Sequence, residues 1–330
     1  MGLKTPLFLS EEQKKQYIEE AQPYLELSLD RLWGSVTSQK IPRSLALTNP
    51  QTIGCPVCGK AVAPFGNYPY EIDSINQPWK ITCPSCKTVF PTNDFQAYYE
   101  GGLDPNGFFD PELAKRHNDG LIQAGGKGNL VNVLYPEKGE TWGVDDSTGF
   151  VNKEGQKYTF VAYYNHFAWY TGIIIHAVRA LKNAYLATGD PRYASRGLVI
   201  LNRIADVYPG LSILEWKRAD DFLNCNGSQV DHGKAIGCIW ETIIVADFIK
   251  AYGVFSDPLH CGKCEEAISY LKTKTPSVGS AEEIQEHIED GLIRQVYPAV
   301  QTTDIFGNSG THQATLAAAA VVFNRNPETK

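Results

Sequence analysis

The chain has no uninterrupted apolar run approaching the roughly 18 to 20 residues that a membrane-crossing helix needs, so no membrane association is expected. Its opening residues, MGLKTPLFLSEEQKKQ, lack the apolar centre of a secretory leader. Taken literally this points to the cytoplasm, although a leader removed ahead of Met1 would look the same. There is no block of lysine or arginine: 30 basic residues face 37 acidic ones, for a net charge of −7. The electrostatic attraction that dominates nucleic-acid binding is therefore missing, and nucleic acid is not an expected partner. No repeat of fixed period is present, which disfavours TPR or HEAT arrays. The one glycine cluster, AGGKGN with Gly125, Gly126 and Gly128, lacks both the Lys-Ser/Thr ending of a P-loop and the strand-to-helix setting of a dinucleotide fingerprint.

What is present suits a large globular protein. Hydrophobic residues make up 43% of 330, enough for one large domain or two ordinary ones. The 17 Tyr and 6 Trp fit sugar stacking as well as a large core. Four segments can be told apart. Residues 1–50 carry an N-cap at Ser10 followed by Tyr17, Ile18, Ala21, Tyr24, Leu25, Leu29 and Leu32 at helical spacing, with a kink expected at Pro23. Residues 51–95 hold the cysteine motif described next. Residues 96–161 are rich in turn residues and aromatics and are expected to run over the surface as loops. From 162 to 330 long amphipathic helices follow one another, the first read as continuous over 163–190 and the next over 191–210. The expected fold is mainly α, with antiparallel helical hairpins stacked as a toroid or a solenoid.

Cys55-Pro-Val-Cys58 and Cys83-Pro-Ser-Cys86 are two knuckles, each able to aim two thiolates at one point. Together they complete a tetrahedral site with no open position, which predicts a structural zinc ribbon with short β segments between the knuckles. Two disulfides or a redox dithiol are the rival readings, but no βαβ unit accompanies either pair. Cys261 and Cys264, beside His260, form a further pair without a visible fourth ligand.

Three polar clusters stand at helix starts. The first is Tyr163, Tyr164, Asn165, His166, Trp169 and Tyr170; the second is Asn224, Asn226, Gln229, His232, Lys234, Trp240 and Glu241; the third is Asn308, His312 and Gln313. If the last helix has begun by Asn308, then Asn308 and His312 lie one turn apart on one face. Taken alone, Asn308 reads as an N-cap and His312 as a satisfied interior histidine, and the rest of the chain is what points to chemistry. A ring of hairpins would gather such helix starts on one rim, where the three clusters would line one cleft.

The order of these features is a CPVCGK knuckle, PWKITCPSCKTVFPTNDFQAYYEGGLD, YYNHFAWY, an IWET helix and FGNSGTHQATLAAAAVVF. It resembles the N-terminal part of heparinase II/III-like polysaccharide lyases over nearly the whole chain. The resemblance implies an incomplete (α/α) toroid followed by an antiparallel β-sandwich domain not contained here. It also implies β-elimination in an acidic polysaccharide such as heparan sulfate, chondroitin, hyaluronan or alginate. The chain stops at NRNPETK, which reads as a turn opening another helix, so a continuation is expected.

In that chemistry the C5 proton of a uronate becomes removable once the adjacent carboxylate is neutralised, a role that suits the Asn308 amide. His312 would be a base or a second stabiliser. The resemblance places the acid, a tyrosine, on a helix past Lys330. Tyr164, Asn165, His166, Trp169, His232, Lys234, Trp240 and Gln313 would contact substrate, and Arg218 with Lys234 would receive carboxylates or sulfates. Family habit implies export to the periplasm or outside. The rivals are a lyase-like carbohydrate-binding protein without activity and an (α/α)-barrel glycoside hydrolase, for which Asp220, Asp221 and Glu241 are the acids to consider.

Overall fold

Ser10 starts the first helix with a capping box: its hydroxyl accepts from the Gln13 amide while the Gln13 side chain accepts from the Ser10 amide. The resulting helix α1 (Glu11–Glu26) carries Pro23 within it, and Ser28 caps a short second helix, α2 (Leu29–Ser35). These elements belong to a computed structural model that describes residues 9–43, 53–214, 233–275, 278–308 and 310–323. The fold is mainly helical.

Two small antiparallel hairpins follow the first knuckle. Strands β1 (Ile81–Thr82) and β2 (Val89–Phe90) pair around the second knuckle, while β3 (Phe150–Val151) and β4 (Lys157–Tyr158) pair just ahead of residue 160. Residues 96–161 are more structured than their composition suggests. Asp94 caps α3 (Phe95–Gly101), and Asp110 with Pro111 starts α4 (Pro111–Gln123). Aromatics of this stretch point inward: Tyr98, Tyr99 and Phe109 are core residues, beside Phe95 just ahead of it, with Tyr99 stacked on Phe109 at 5.2 Å. Burial of those rings outweighs the turn-forming residues around them.

The helices that frame the rest are α5 (Phe160–Tyr170), α6 (Ile173–Thr188), α7 (Pro191–Val207), α8 (Glu241–His260), α9 (Glu265–Lys274), α10 (Ala281–Ile288), α11 (Val296–Gln301) and α12 (Thr311–Phe323). The stretch expected as one helix over 163–190 is two, because Gly172 breaks it in an extended conformation. A Cβ there would stand 2.6 Å from the Phe167 carbonyl oxygen. Helices α6 and α7 form a hairpin closed by Gly189 in the left-handed region and by the Asp190 cap. Both pack on α8; α1 lies against α6, and α12 against α8. Gly197 allows the close approach of α7 and α8, since a Cβ at that position would meet the Phe255 ring at 2.2 Å. The knuckle region, the aromatic stretch and the long helices share one buried cluster, joined where Trp79 meets Phe95, Tyr99 and Tyr164.

Candidate functional site

The Cys55, Cys58, Cys83 and Cys86 sulfurs lie within 4.8 Å of one another. Cys55 to Cys86 and Cys58 to Cys83 are both 3.7 Å apart. Tetrahedral coordination with metal–sulfur bonds of about 2.3 Å requires sulfur spacings of about 3.8 Å, so the thiols fit one metal ion with no open position. Each knuckle is shaped by its backbone. The Gly59 amide donates to the Cys55 carbonyl and the Lys87 amide to the Cys83 carbonyl, with Gly59 and Lys87 both left-handed at φ 56° and 57°. Cys55 and Cys83 are buried, and burial pushes both thiols up, Cys83 to about 11. A cation is what would favour their thiolate forms. Among the described residues no other group of three or more His, Cys, Asp or Glu converges in this way, Cys261 and Cys264 included.

The helix-start clusters fall into two kinds. Asn165 and Trp169 are wholly buried and committed to structural hydrogen bonds. The Asn165 amide donates to the Ile41 and Pro42 carbonyls, while its oxygen accepts from the Thr37 hydroxyl. The Trp169 indole N–H donates to that same hydroxyl at 2.7 Å. Tyr164 is buried against Trp79. Lys234 is turned inward: its ammonium sits 5.2 Å from the Tyr208 ring centre and donates to the Pro209 carbonyl, and burial lowers its pKa. His166 is 1% exposed with no hydrogen-bond partner for Nε2, and burial followed by the Arg43 charge lowers its pKa to about 3. The imidazole is therefore neutral at physiological pH. His232, Arg218, Asp220, Asp221, Asn224, Asn226 and Gln229 lie outside the described residues.

The accessible residues form a contiguous line that includes Phe167, a residue outside the three sequence clusters. Phe167 and Tyr170, three residues apart on α5, are half-buried, with their rings 6.4 Å apart and His166 edge-on to both. Tyr170 stacks on Trp240 at 6.3 Å and 24°. Trp240 is 37% exposed, and the loop before it explains why. Gly233 and Gly237 pass so close that a Cβ on Gly233 would stand 2.3 Å from Cα of Gly237. The buried Glu241 carboxylate then fastens the loop by accepting from the Ile236 and Gly237 amides at 2.7 and 2.8 Å. Arg43 holds the same loop through the Lys234 and Ala235 carbonyls.

The third cluster is seated on this turn. Helix α12 begins at Thr311, so Asn308 precedes it, and the i, i+4 relation within one helix does not apply to Asn308 and His312. The Asn308 carbonyl accepts from both the amide and the hydroxyl of Thr311. Gly307 packs against the residues flanking Trp240: a Cβ there would lie 3.0 Å from the Ile239 carbonyl oxygen and 2.6 Å from the Thr242 hydroxyl. The buried Thr315 hydroxyl donates to the Thr242 carbonyl at 3.0 Å. Asn308 and Gln313 are exposed, and His312 is half-buried. Neither the inward turn of Asn165 nor the packing of α12 on α8 carries a local sequence signal, since both depend on contacts across long separations.

Comparison with protein-family models, with curated proteins and with solved structures found no match.

Proposed function

We propose that this protein is a polysaccharide lyase that cleaves a uronate-containing glycan by β-elimination, on a toroid-type helical frame, with zinc held by the four cysteines. The observation that carries this reading is the contiguity of the end of α5 with the turns that open α8 and α12. The Phe167–Tyr170 face of α5 meets Trp240, and the Trp240 turn in turn supports the loop bearing Asn308, which leads into the first turn of α12 with His312. Stacked aromatic faces beside an accessible amide and imidazole are what a sugar ring and its carboxylate require.

In this reading the Asn308 amide neutralises the uronate carboxylate. His312 takes the C5 proton, and a phenol protonates the departing glycosidic oxygen. Tyr170, stacked on Trp240, is a described tyrosine at the same mouth. Trp240 and Gln313 hold neighbouring sugar units, while Asn165, Trp169 and Tyr164 keep the frame in place. A hydrolase would need two carboxylic acids flanking the bond. Glu241 suits that role poorly, because it is buried and bonded to its own loop. The zinc is structural and takes no part in the elimination, since its four thiolate ligands leave no site for substrate. Among the described residues no helix is long and apolar enough to cross a membrane. Export accompanies this reading, because polymers of this kind are met outside the cytoplasm.

The test is incubation of the protein with hyaluronan, chondroitin, heparan sulfate and alginate while following the ultraviolet absorbance of an unsaturated sugar end. A rise with at least one polymer is expected. Absence of a rise with all of them would remove the lyase reading in favour of a binding protein.

A further inference from the structure

A cavity of 440 Å³ lies at the other end of the aromatic line, walled on one side by residues between the knuckles and on the other by α5 and α6. Tyr68 and Phe167 both line it, with ring centres 5.6 Å apart, so Phe167 belongs both to this cavity and to the line running through Tyr170 to Trp240. Its polar groups are hydroxyl partners. Ser74 lines the cavity, and the buried Tyr163 hydroxyl lies against the Tyr70 backbone without a hydrogen bond of good geometry. Aromatic faces with scattered hydroxyl-bonding groups are the chemistry of a sugar site.

The charge of the cavity discriminates among sugars. Asp73 lines it, exposed, with its carboxylate accepting from the Asn76 amide and side chain at 3.0 and 2.9 Å. Those bonds hold it below the usual carboxylate range, so it is ionised at neutral pH. The other titrating side chain that could carry a positive charge at the wall, His176, is kept neutral by burial and then by the neighbouring Arg179. Arg179 is itself paired with Asp247 at 2.6 Å, and Arg31 donates to the Ile75 carbonyl from an adjoining cavity. A sugar carboxylate or sulfate here would face Asp73 with no lysine or arginine among the described lining residues to offset it.

We propose that this cavity is a subsite for an uncharged sugar unit. The preferred polymer is then an unsulfated copolymer alternating uronate with an uncharged sugar, in preference to a homopolymer of uronates. The inference rests on the lyase reading of the same cleft. An alternating chain can set a neutral unit in the cavity while a uronate lies by Asn308. A polyuronate must bring a carboxylate to Asp73 in every register.

The experiment is calorimetric titration of the wild type, Asp73→Asn and Tyr68→Ala with length-matched hyaluronan and alginate oligosaccharides. Asp73→Asn keeps an oxygen acceptor for the Asn76 amide at an exposed site, so the fold is retained. The wild type is expected to bind hyaluronan oligosaccharides about tenfold more tightly than alginate ones, the scale of one like-charge contact. Asp73→Asn should narrow that ratio by strengthening alginate binding, and Tyr68→Ala should weaken both. Equal or tighter alginate binding by the wild type would overturn the assignment, as would a ratio unchanged in Asp73→Asn. If unsaturated product forms from any polymer but the ratio ignores Asp73, or neither oligosaccharide binds, the subsite alone is wrong; if no polymer yields unsaturated product, the lyase reading fails and the subsite with it.

Discussion

Trp240 lies over the Tyr170 ring with the centres 6.3 Å apart and the planes at 24°. The contact joins the end of α5 to the start of α8, although the residues are far apart in sequence. Trp240 is more than a third exposed, so the pair offers an aromatic surface at the mouth where Gly307 brings in the Asn308 turn. Trp240→Ala should therefore raise KM for polymer about tenfold, or about 1.4 kcal/mol of binding, with little change in Tm. Steady-state kinetics and a thermal melt of the same preparation check both halves.

Two asparagines should separate frame from chemistry. Asn165→Ala removes a buried amide from the Ile41 and Pro42 carbonyls and the Thr37 hydroxyl, and should cost about 2–4 kcal/mol of stability in urea unfolding. Asn308 is exposed, so Asn308→Ala should change stability by less than about 0.5 kcal/mol. It should nevertheless lower kcat by about a hundredfold, the cost of losing one preorganised donor to a developing anion.

His166 predicts an acid lability. Its folded pKa is depressed to about 3 while the unfolded chain takes up a proton near pH 6.5, so stability falls as pH drops through that window. The slope from this one group is about 1.4 kcal/mol per pH unit. Asp145 works in the opposite sense: burial raises it to about 6, so the folded state holds its proton where the unfolded state has lost it, and stability from this group declines as pH rises through 6. The two partly cancel between about pH 4 and 6. The informative measurement is the difference in slope between the wild type and His166→Gln: between about pH 3.5 and 6 the variant should lack the fall of about 1.4 kcal/mol per pH unit that His166 gives the wild type on acidification. Identical slopes would mean that the imidazole is not buried neutral.

Zinc should be bound at one ion per chain by elemental analysis. A strong chelator, or Cys58→Ser, should release it and lower Tm by about 5 °C or more, because the knuckle region shares the main core through Trp79. Loss of cysteine without loss of metal would remove the four-sulfur assignment.

The cysteine spacing was legible because two C-x-x-C turns constrain four sulfurs locally, whatever the rest of the fold does. The helical class was legible for a similar reason, the apolar period of 3.6 over long stretches. The fate of residues 96–161 was not, because Tyr98, Tyr99 and Phe109 are recruited inward by distant partners that no local pattern reveals. Nor was the split of the site clusters. Asn165 and His166 look as available in sequence as Asn308 and His312, and only the packing of α5 beneath Ile41 and Pro42 turns the first asparagine into scaffold. Gly172 ends α5 just beyond Tyr170, and that break was hidden inside an otherwise continuous helical pattern.

The central claim is the reaction type, and the mass of the product tests it most directly. Mass spectrometry of oligosaccharides released from hyaluronan, chondroitin, heparan sulfate or alginate should show fragments lighter by one water than hydrolysis products, with an unsaturated non-reducing end. Fragments that have gained water would identify a hydrolase, and intact polymer in every case would identify a protein that binds glycan without cleaving it; either result contradicts the account.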